Sequence, residues 1–481
     1  MVFDASSVDC IIVSAGVRID KEHSSQIQRN LGPYRIASAL ENAGYSARII
    51  DFTQYLTISE FIKSIDNIVT DKTKWVGFSS SFFWGSQKLF PHWTDQETDF
   101  VLSHLKHLGL KTVYGGVRSQ MFTDDRIDCF VLGYADNAII DVANKVIEGT
   151  LPKLIDSKDY PEPAMDNIKT HWWRKDFNIL KGEALPLELA RGCIFKCKFC
   201  GYSLIGKKKG TYLRDIEEVR DDLIRTWEAT GCTNYYMTDD TFNDDNDKIE
   251  AIHKLFTSLP FKLSFSCYLR LDLINKYPEQ ADILQEAGLV GNFFGIETLN
   301  KQSGTAIGKG LSPTKVKDRL NWLGEKWKGK VNMGAGLIFG LPYDTIEYFN
   351  EVEKWILDKD NPLSSIEVYP LMLFKTKNRN HGSEFSLNPE IYGYEVHDNN
   401  FWTLKQQGLD YDLVNMYANK VMSQRNYMNK VSEFQIMTQQ NIGVSIPEIM
   451  ETRYVDLQSK FDVASKNTNM LNSYKQMIGV L

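Results

Sequence analysis

The chain has 481 residues, 43% hydrophobic and 24% charged, and its 55 basic and 62 acidic side chains leave a formal charge of −7. That length suffices for two or three domains with sizeable cores. The acidic balance gives no electrostatic reason to expect tight binding to nucleic acid, and no run reaches the ~20 apolar residues needed to span a bilayer.

The first residues lack a basic region followed by a long apolar stretch and a cleavage site, so the expected location is cytoplasmic. Seven cysteines is an odd number. Three of them cluster, which argues against a disulfide framework.

Residues 1–150 alternate short apolar runs with helical periods. "CIIVSA", "SARIIDF", "KWVGFSSSF" and "KTVYGGVRS" read as strands, and "GPYRIASALENAGY" and "ISEFIKSIDNIV" as helices. This is the pattern of an α/β fold with an open, doubly wound, Rossmann-like parallel sheet. Strand ends rich in Gly and Ser let a ligand approach the backbone at the carboxyl edge. Residues 151–183, polar and proline-bearing, read as a linker. A second alternating series follows over 184–375, with strands expected at "LPLELA", "NYYMTDD", "KLSFSCYLR", "VGNFFGIET", "VNMGAGLIFG" and "SSIEVYPLM". These make about six βα units, a partial or complete TIM-type barrel. Over 376–481 the alternation stops, and a mainly helical C-terminal region is expected.

After the expected strand "LPLELA" comes "RGCIFKCKFCGYS", with Cys193, Cys197 and Cys200 on a glycine-flanked loop. Three thiolates so spaced can ligate three corners of a cubane iron–sulfur cluster, leaving one iron open to an exogenous ligand. Zinc and three unrelated buried thiols are the alternatives. No GxSxG, Walker A or HExxH pattern is present, so hydrolase and nucleotide-triphosphatase chemistry has no foothold.

The CxxxCxxC motif, with the aromatic Phe199 before its last cysteine, resembles the signature of the radical S-adenosylmethionine superfamily. The resemblance implies a 4Fe-4S cluster on Cys193, Cys197 and Cys200. It also implies S-adenosylmethionine bound at the open iron and reductive cleavage to a 5′-deoxyadenosyl radical that abstracts hydrogen from a substrate carbon. By the same resemblance, Asp239 and its neighbour Asp240 would stand near the methionine amino group. Arg270 would hold the carboxylate and Glu297 the ribose hydroxyls, with Leu337, Ile338 and Phe339 against adenine. A reductant such as flavodoxin or ferredoxin is implied as partner, with a small molecule or peptide as substrate.

The first 150 residues resemble the cobalamin-binding domain that precedes the barrel in one branch of that superfamily. Ser79, Ser80, Ser81, Gly115, Gly116, Val117 and Gly133 would then line the path of the cobalamin tail. The chain departs from the mutase type of this domain in having no DxHxxG, and His23 has the wrong spacing to replace it. Tyr134 and Asp136 stand where the branch commonly has glutamate. With cobalamin, methyl transfer is the implied outcome. Without it the radical chemistry would end in rearrangement, cyclisation or oxidation, and the non-enzyme alternative is an iron–sulfur electron-transfer or regulatory protein.

Overall fold

Short β-branched and aromatic runs supply the strands, those of the first sheet closed by Gly, Ser or Asp, and capped amphipathic stretches supply the helices between them. In a computed structural model of the chain the described residues are 7–15, 27–80, 88–116, 119, 123–162, 165, 169–202, 204–208, 212–309, 311–373, 382–398, 401–424, 444–452, 456 and 459–481. They divide into two compact units. The first is Met1–Pro186 with Glu217–Thr233 and Asp462–Leu481; the second is Leu187–Ile216 with Asn234–Phe461.

The first unit contains a six-stranded sheet of β1 (Cys10–Val13), β2 (Ala47–Ile50), β3 (Trp75–Ser79), β4 (Lys111–Gly115), β5 (Cys129–Leu132) and β6 (Leu154–Asp156). Its spatial order is β2-β1-β3-β4-β5-β6, and all five pairings are parallel. The order reverses between β1 and β3, which is where open sheets of this kind offer a crevice at the strands' carboxyl ends. Two helices start at legible capping boxes: Thr57 with Glu60 opens Ile58–Ile68, and Thr94 with Glu97 opens Asp95–His107. The linker expected over 151–183 contains β6, which extends the sheet by pairing with β5. Three residues are too short for period-based reading to separate from a loop.

The segment 151–183 also supplies the partner of a buried charge. Arg29 Nε donates to Glu183 Oε1 at 2.6 Å, and neither side chain is accessible to solvent. Arg29 also reaches the Tyr34 hydroxyl, which donates to Asp51 at 2.8 Å. Tyr474, from the helix Val463–Met477, closes this network by accepting the Asp51 amide N–H at 2.7 Å. The C-terminal twenty residues thus join the first unit's core, although the sequence suggested a single region over 376–481.

In the second sheet β7 (Leu185–Leu187), β8 (Asn234–Met237), β9 (Ser264–Leu269), β10 (Leu289–Glu297), β11 (Asn332–Phe339) and β12 (Ser365–Pro370) follow one another in space. The boundary between the units falls inside β7. Pairings from β8 to β12 are parallel, and β7 and β12 are not neighbours, so the barrel is partial. Helices cover one face: Phe294 stacks over Trp327, and Phe339 lies 4.3 Å from Phe349 between ring centroids. The opposite face carries Tyr268 edge-on to Phe293. Gly336 leaves room for that Phe293 ring, which an added Cβ would meet at 2.9 Å.

Within the region expected to be mainly helical lies a small antiparallel sheet: β13 (Tyr394–Asp398), β14 (Phe401–Leu404) and β15 (Leu409–Asp410). Tyr394, Trp402 and Leu404 bury its apolar face, and the Trp402 indole N–H donates to the Leu371 carbonyl.

Candidate functional site

The residues after β7 turn back on themselves. The Cys193 N–H donates to the Leu204 carbonyl, Lys207 N–H to the Cys193 carbonyl, and Gly206 N–H to Phe195, each at 3.0 Å. Gly192 opens the loop at φ 112°, where an added Cβ would stand 2.8 Å from Lys207 Cγ and 2.9 Å from the Leu204 oxygen. Only glycine satisfies both demands without strain. Cys193, Cys197 and Cys200 are all free thiols and half-buried on this loop, with Phe199 half-buried beside the last of them. Burial raises the Cys193 thiol and pushes Cys200 up to about 11, so loading metal there must displace protons.

Side chains from later strand ends reach two of the sulfurs. Thr241 Oγ1 lies 3.4 Å from Cys193 Sγ, and Arg270 Nη1 donates to Cys197 Sγ at 3.4 Å. Among the described residues no set of three or more His, Cys, Asp or Glu is placed to hold a single metal ion. A cluster asks for less convergence, because each of its irons takes its own thiolate. An all-sulfur donor set with hydrogen-bond donors beside two of the sulfurs fits that group.

Asp239 and Asp240 follow β8 but point differently. Asp239 is fully buried and accepts the Leu189 and Ala190 amides at 2.8 and 3.2 Å. Its other oxygen pairs with Lys248 at 3.0 Å. Lys248 also reaches Asp244 at 3.3 Å, and Tyr212 donates to Asp244. Asp239 therefore fastens the chain just before the cysteine loop, and the exposed member of the pair is Asp240. Desolvation pushes Asp240 up to about 6, against hydrogen bonds from Tyr202 and the Gly192 amide.

Arg270 is 6% exposed and caps the helix Leu271–Lys276. The carboxylate in its fork is Asp272, met by Nε at 3.0 Å and Nη2 at 2.6 Å. Glu297 ends β10 at φ 67°, just past a register shift. Its carboxylate lies 3.5 Å from Lys309 Nζ, which donates to the Gly295 carbonyl at 2.7 Å. Burial raises Glu297, and Lys309 opposes that shift. On β11, Leu337 and Phe339 are buried and Ile338 is half-buried.

At the first sheet's carboxyl edge Ser79 is half-buried and Ser80 fully buried, and the Ser80 amide donates to the Gly115 carbonyl at 2.8 Å. Gly116, after β4, and Gly133, after β5, both adopt positive φ, and an added Cβ at Gly133 would meet Ser157 Oγ. Ser81, Val117 and His23 lie outside the described residues. Tyr134 is exposed, and Asp136 pairs with Arg35 at 2.9 Å. Near the switch point Asn30 Nδ2 donates to Ser14 Oγ, while its buried Oδ1 has no partner among the described residues. An orphaned acceptor and small side chains at that edge fit a ligand carrying amide donors.

Sequence reasoning missed Thr241, Lys248, Asp272 and Lys309. Lys248 follows Asp244 at i,i+4, a spacing that signals a pair. Lys309 stands between two glycines in "IGKGL", with no periodic signal to single it out.

Residues 187–356 match the Radical SAM superfamily. The chain carries a radical SAM domain. Its fold over nearly the whole length is that of solved cobalamin-dependent members: it matches OxsB, a cobalamin-dependent S-adenosylmethionine radical enzyme solved with aqua-cobalamin, at TM-score 0.59 and 15% identity over 98% of this chain and 72% of that one. TsrM of Kitasatospora setae, a radical S-adenosylmethionine methyltransferase, matches at TM-score 0.56 and 15% identity over 82% of this chain and 79% of its own. Bacteriochlorophyllide d C-8(2)-methyltransferase of Chlorobaculum tepidum is 20% identical over 270 residues, 53% of this chain. The chain spans 59% of that relative's length. Among the described residues no helix is long and apolar enough to cross a membrane.

Proposed function

We propose that the protein is a radical S-adenosylmethionine enzyme that transfers a methyl group to a small-molecule or peptide substrate with the help of cobalamin. The observation that carries this is the loop after β7: three half-buried free thiols, hinged at Gly192, with donors from Thr241 and Arg270 at two of the sulfurs. Cys193, Cys197 and Cys200 would hold a 4Fe-4S cluster. Bound there, the cluster would supply the electron, drawn from an external reductant, that splits S-adenosylmethionine into methionine and a 5′-deoxyadenosyl radical.

The remaining work belongs to the protein's own side chains. Asp240, exposed at the end of β8, is suited to the methionine amino group, while Asp239 keeps the loop's entry in place. Glu297, held by Lys309, is suited to accept hydrogen bonds from ribose hydroxyls. Ile338 offers a partly exposed apolar surface for adenine. In the first unit, Ser14, Asn30, Ser79 and Ser80 would hold the cobalamin tail at the switch point, and a bound corrin would supply the methyl group.

The test is anaerobic reconstitution with iron, sulfide and hydroxocobalamin, followed by removal of loose ligand. Cubane iron-to-sulfide stoichiometry, about one corrin per chain and reductive release of 5′-deoxyadenosine are expected. Cys197→Ala abolishes the cluster and the cleavage together. Unchanged iron content and cleavage in that variant would sink the proposal; cluster and cleavage without corrin would remove methyl transfer from it.

A further inference from the structure

We infer that Arg270 is a positioning residue for the cluster and not the holder of the S-adenosylmethionine carboxylate: it donates to the sulfur of Cys197 and raises the cluster's reduction potential. This rests on the cluster reading above. Three constraints fix the guanidinium. Asp272 takes its Nε and Nη2 donors in a two-bond fork at 3.0 and 2.6 Å. Its plane is set over the Phe195 ring, with Cζ 3.7 Å from the centroid. Its backbone is clamped by Asn243, whose Oδ1 accepts the Arg270 N–H at 2.8 Å and whose Nδ2 donates to the Arg270 carbonyl at 3.1 Å. Asn243 is itself buried and donates to Gln280 Oε1 at 3.0 Å.

The edge left over is Nη1, and it lies 3.4 Å from Cys197 Sγ. To grip a substrate carboxylate with two parallel bonds, Arg270 would have to abandon Asp272, a bidentate charge-assisted pair. With 6% of the residue exposed, little of the guanidinium remains for a second carboxylate. Facing the cluster, the same geometry has a use. Taking up an electron makes a cluster more negative, and an N–H donor and positive charge at a ligating sulfur favour that state. Asp272 and Phe195 then serve to aim the donor.

The experiment is a potentiometric titration, followed by electron paramagnetic resonance, of reconstituted wild type, Arg270→Gln and Arg270→Lys, all without S-adenosylmethionine. Apparent KM for S-adenosylmethionine cleavage is measured in parallel. Arg270→Gln is expected to keep its iron and sulfide and to move the midpoint to more negative values, with KM changed less than about 2-fold. Arg270→Lys, which keeps the charge without the fork, should fall between; it carries the comparison if the glutamine variant fails to load. An unshifted midpoint with a KM raised about 10-fold or more would return Arg270 to the carboxylate and overturn the inference. A wild type that binds no cluster would instead overturn the functional reading beneath it.

Discussion

Glu297 shows how much a single position carries. A non-glycine residue at φ 67° is uncommon, and such conformations gather where the surrounding structure holds a functional group in place. Gly295 makes the space, since a Cβ there would stand 2.6 Å from Glu297 Oε1. Asp344, in "GLPYDT", is a second buried carboxylate with a different task. It accepts from Ser303 Oγ at 2.8 Å and from the Gly340 and Leu341 amides at 3.1 and 3.0 Å, closing the turn after β11. Burial nevertheless dominates and pushes it up to about 7 from an ordinary value of 3.8. The folded state then binds the proton more tightly than the unfolded state, so this group's contribution is fullest below about pH 4 and declines as pH rises toward about 7. Unfolding free energies from urea titrations between about pH 5 and pH 8 should fall more steeply in wild type than in Asp344→Asn, by at most about 1.4 kcal/mol per pH unit. Parallel curves would show that the carboxylate is ionised throughout.

Among the elements, the cysteine loop was the most legible. Its spacing put three thiols on one loop, and the preceding strand and flanking glycines placed that loop at a sheet end. What spacing could not reveal was the backbone demand at Gly192, which depends on where Lys207 and Leu204 return. Gly192→Ala should leave the sheets intact by far-ultraviolet circular dichroism. It should also strip iron from the reconstituted protein, because positive φ and close contacts oppose the added methyl. Wild-type iron content in that variant would show that the loop can relax. The antiparallel sheet β13–β15 was less legible. The run "YEVHDNNFWTL" does alternate, but its polar and aromatic mixture also suits an irregular capping segment, and Trp402 becomes core through Leu371, Tyr394 and the open space at Gly340, all distant in sequence or set by the fold.

For the whole molecule, the notable departure is the C-terminal helix Val463–Met477, whose Tyr474 and Lys475 bind Asp51 and Glu60 some four hundred residues earlier. Tyr474 is 1% exposed and meets Phe52 edge-on at 5.2 Å. Tyr474→Phe, which leaves the Asp51 amide without its buried acceptor, should cost about 1–3 kcal/mol in chemical denaturation. Tyr474→Ala adds a cavity and should cost about 3–5 kcal/mol. A loss under about 0.5 kcal/mol in both would mean that the helix is dispensable to the first unit.

Local pattern alone determined that this chain would build parallel α/β sheets, and that its thiols would gather at the end of one strand. Those features follow from short-range rules: apolar period, capping residues, and the spacing of three cysteines along eight residues. The partners were decided only by tertiary structure. Asp239 and Asp240 are neighbours in sequence, yet one is bound to Lys248 and the Leu189 and Ala190 amides while the other meets Tyr202 and the Gly192 amide. Arg270 looked like a carboxylate holder, and Asp272 already fills its fork. A charged side chain leaving water must be matched by whatever group the fold brings within hydrogen-bond reach, and local sequence pattern does not carry that distance.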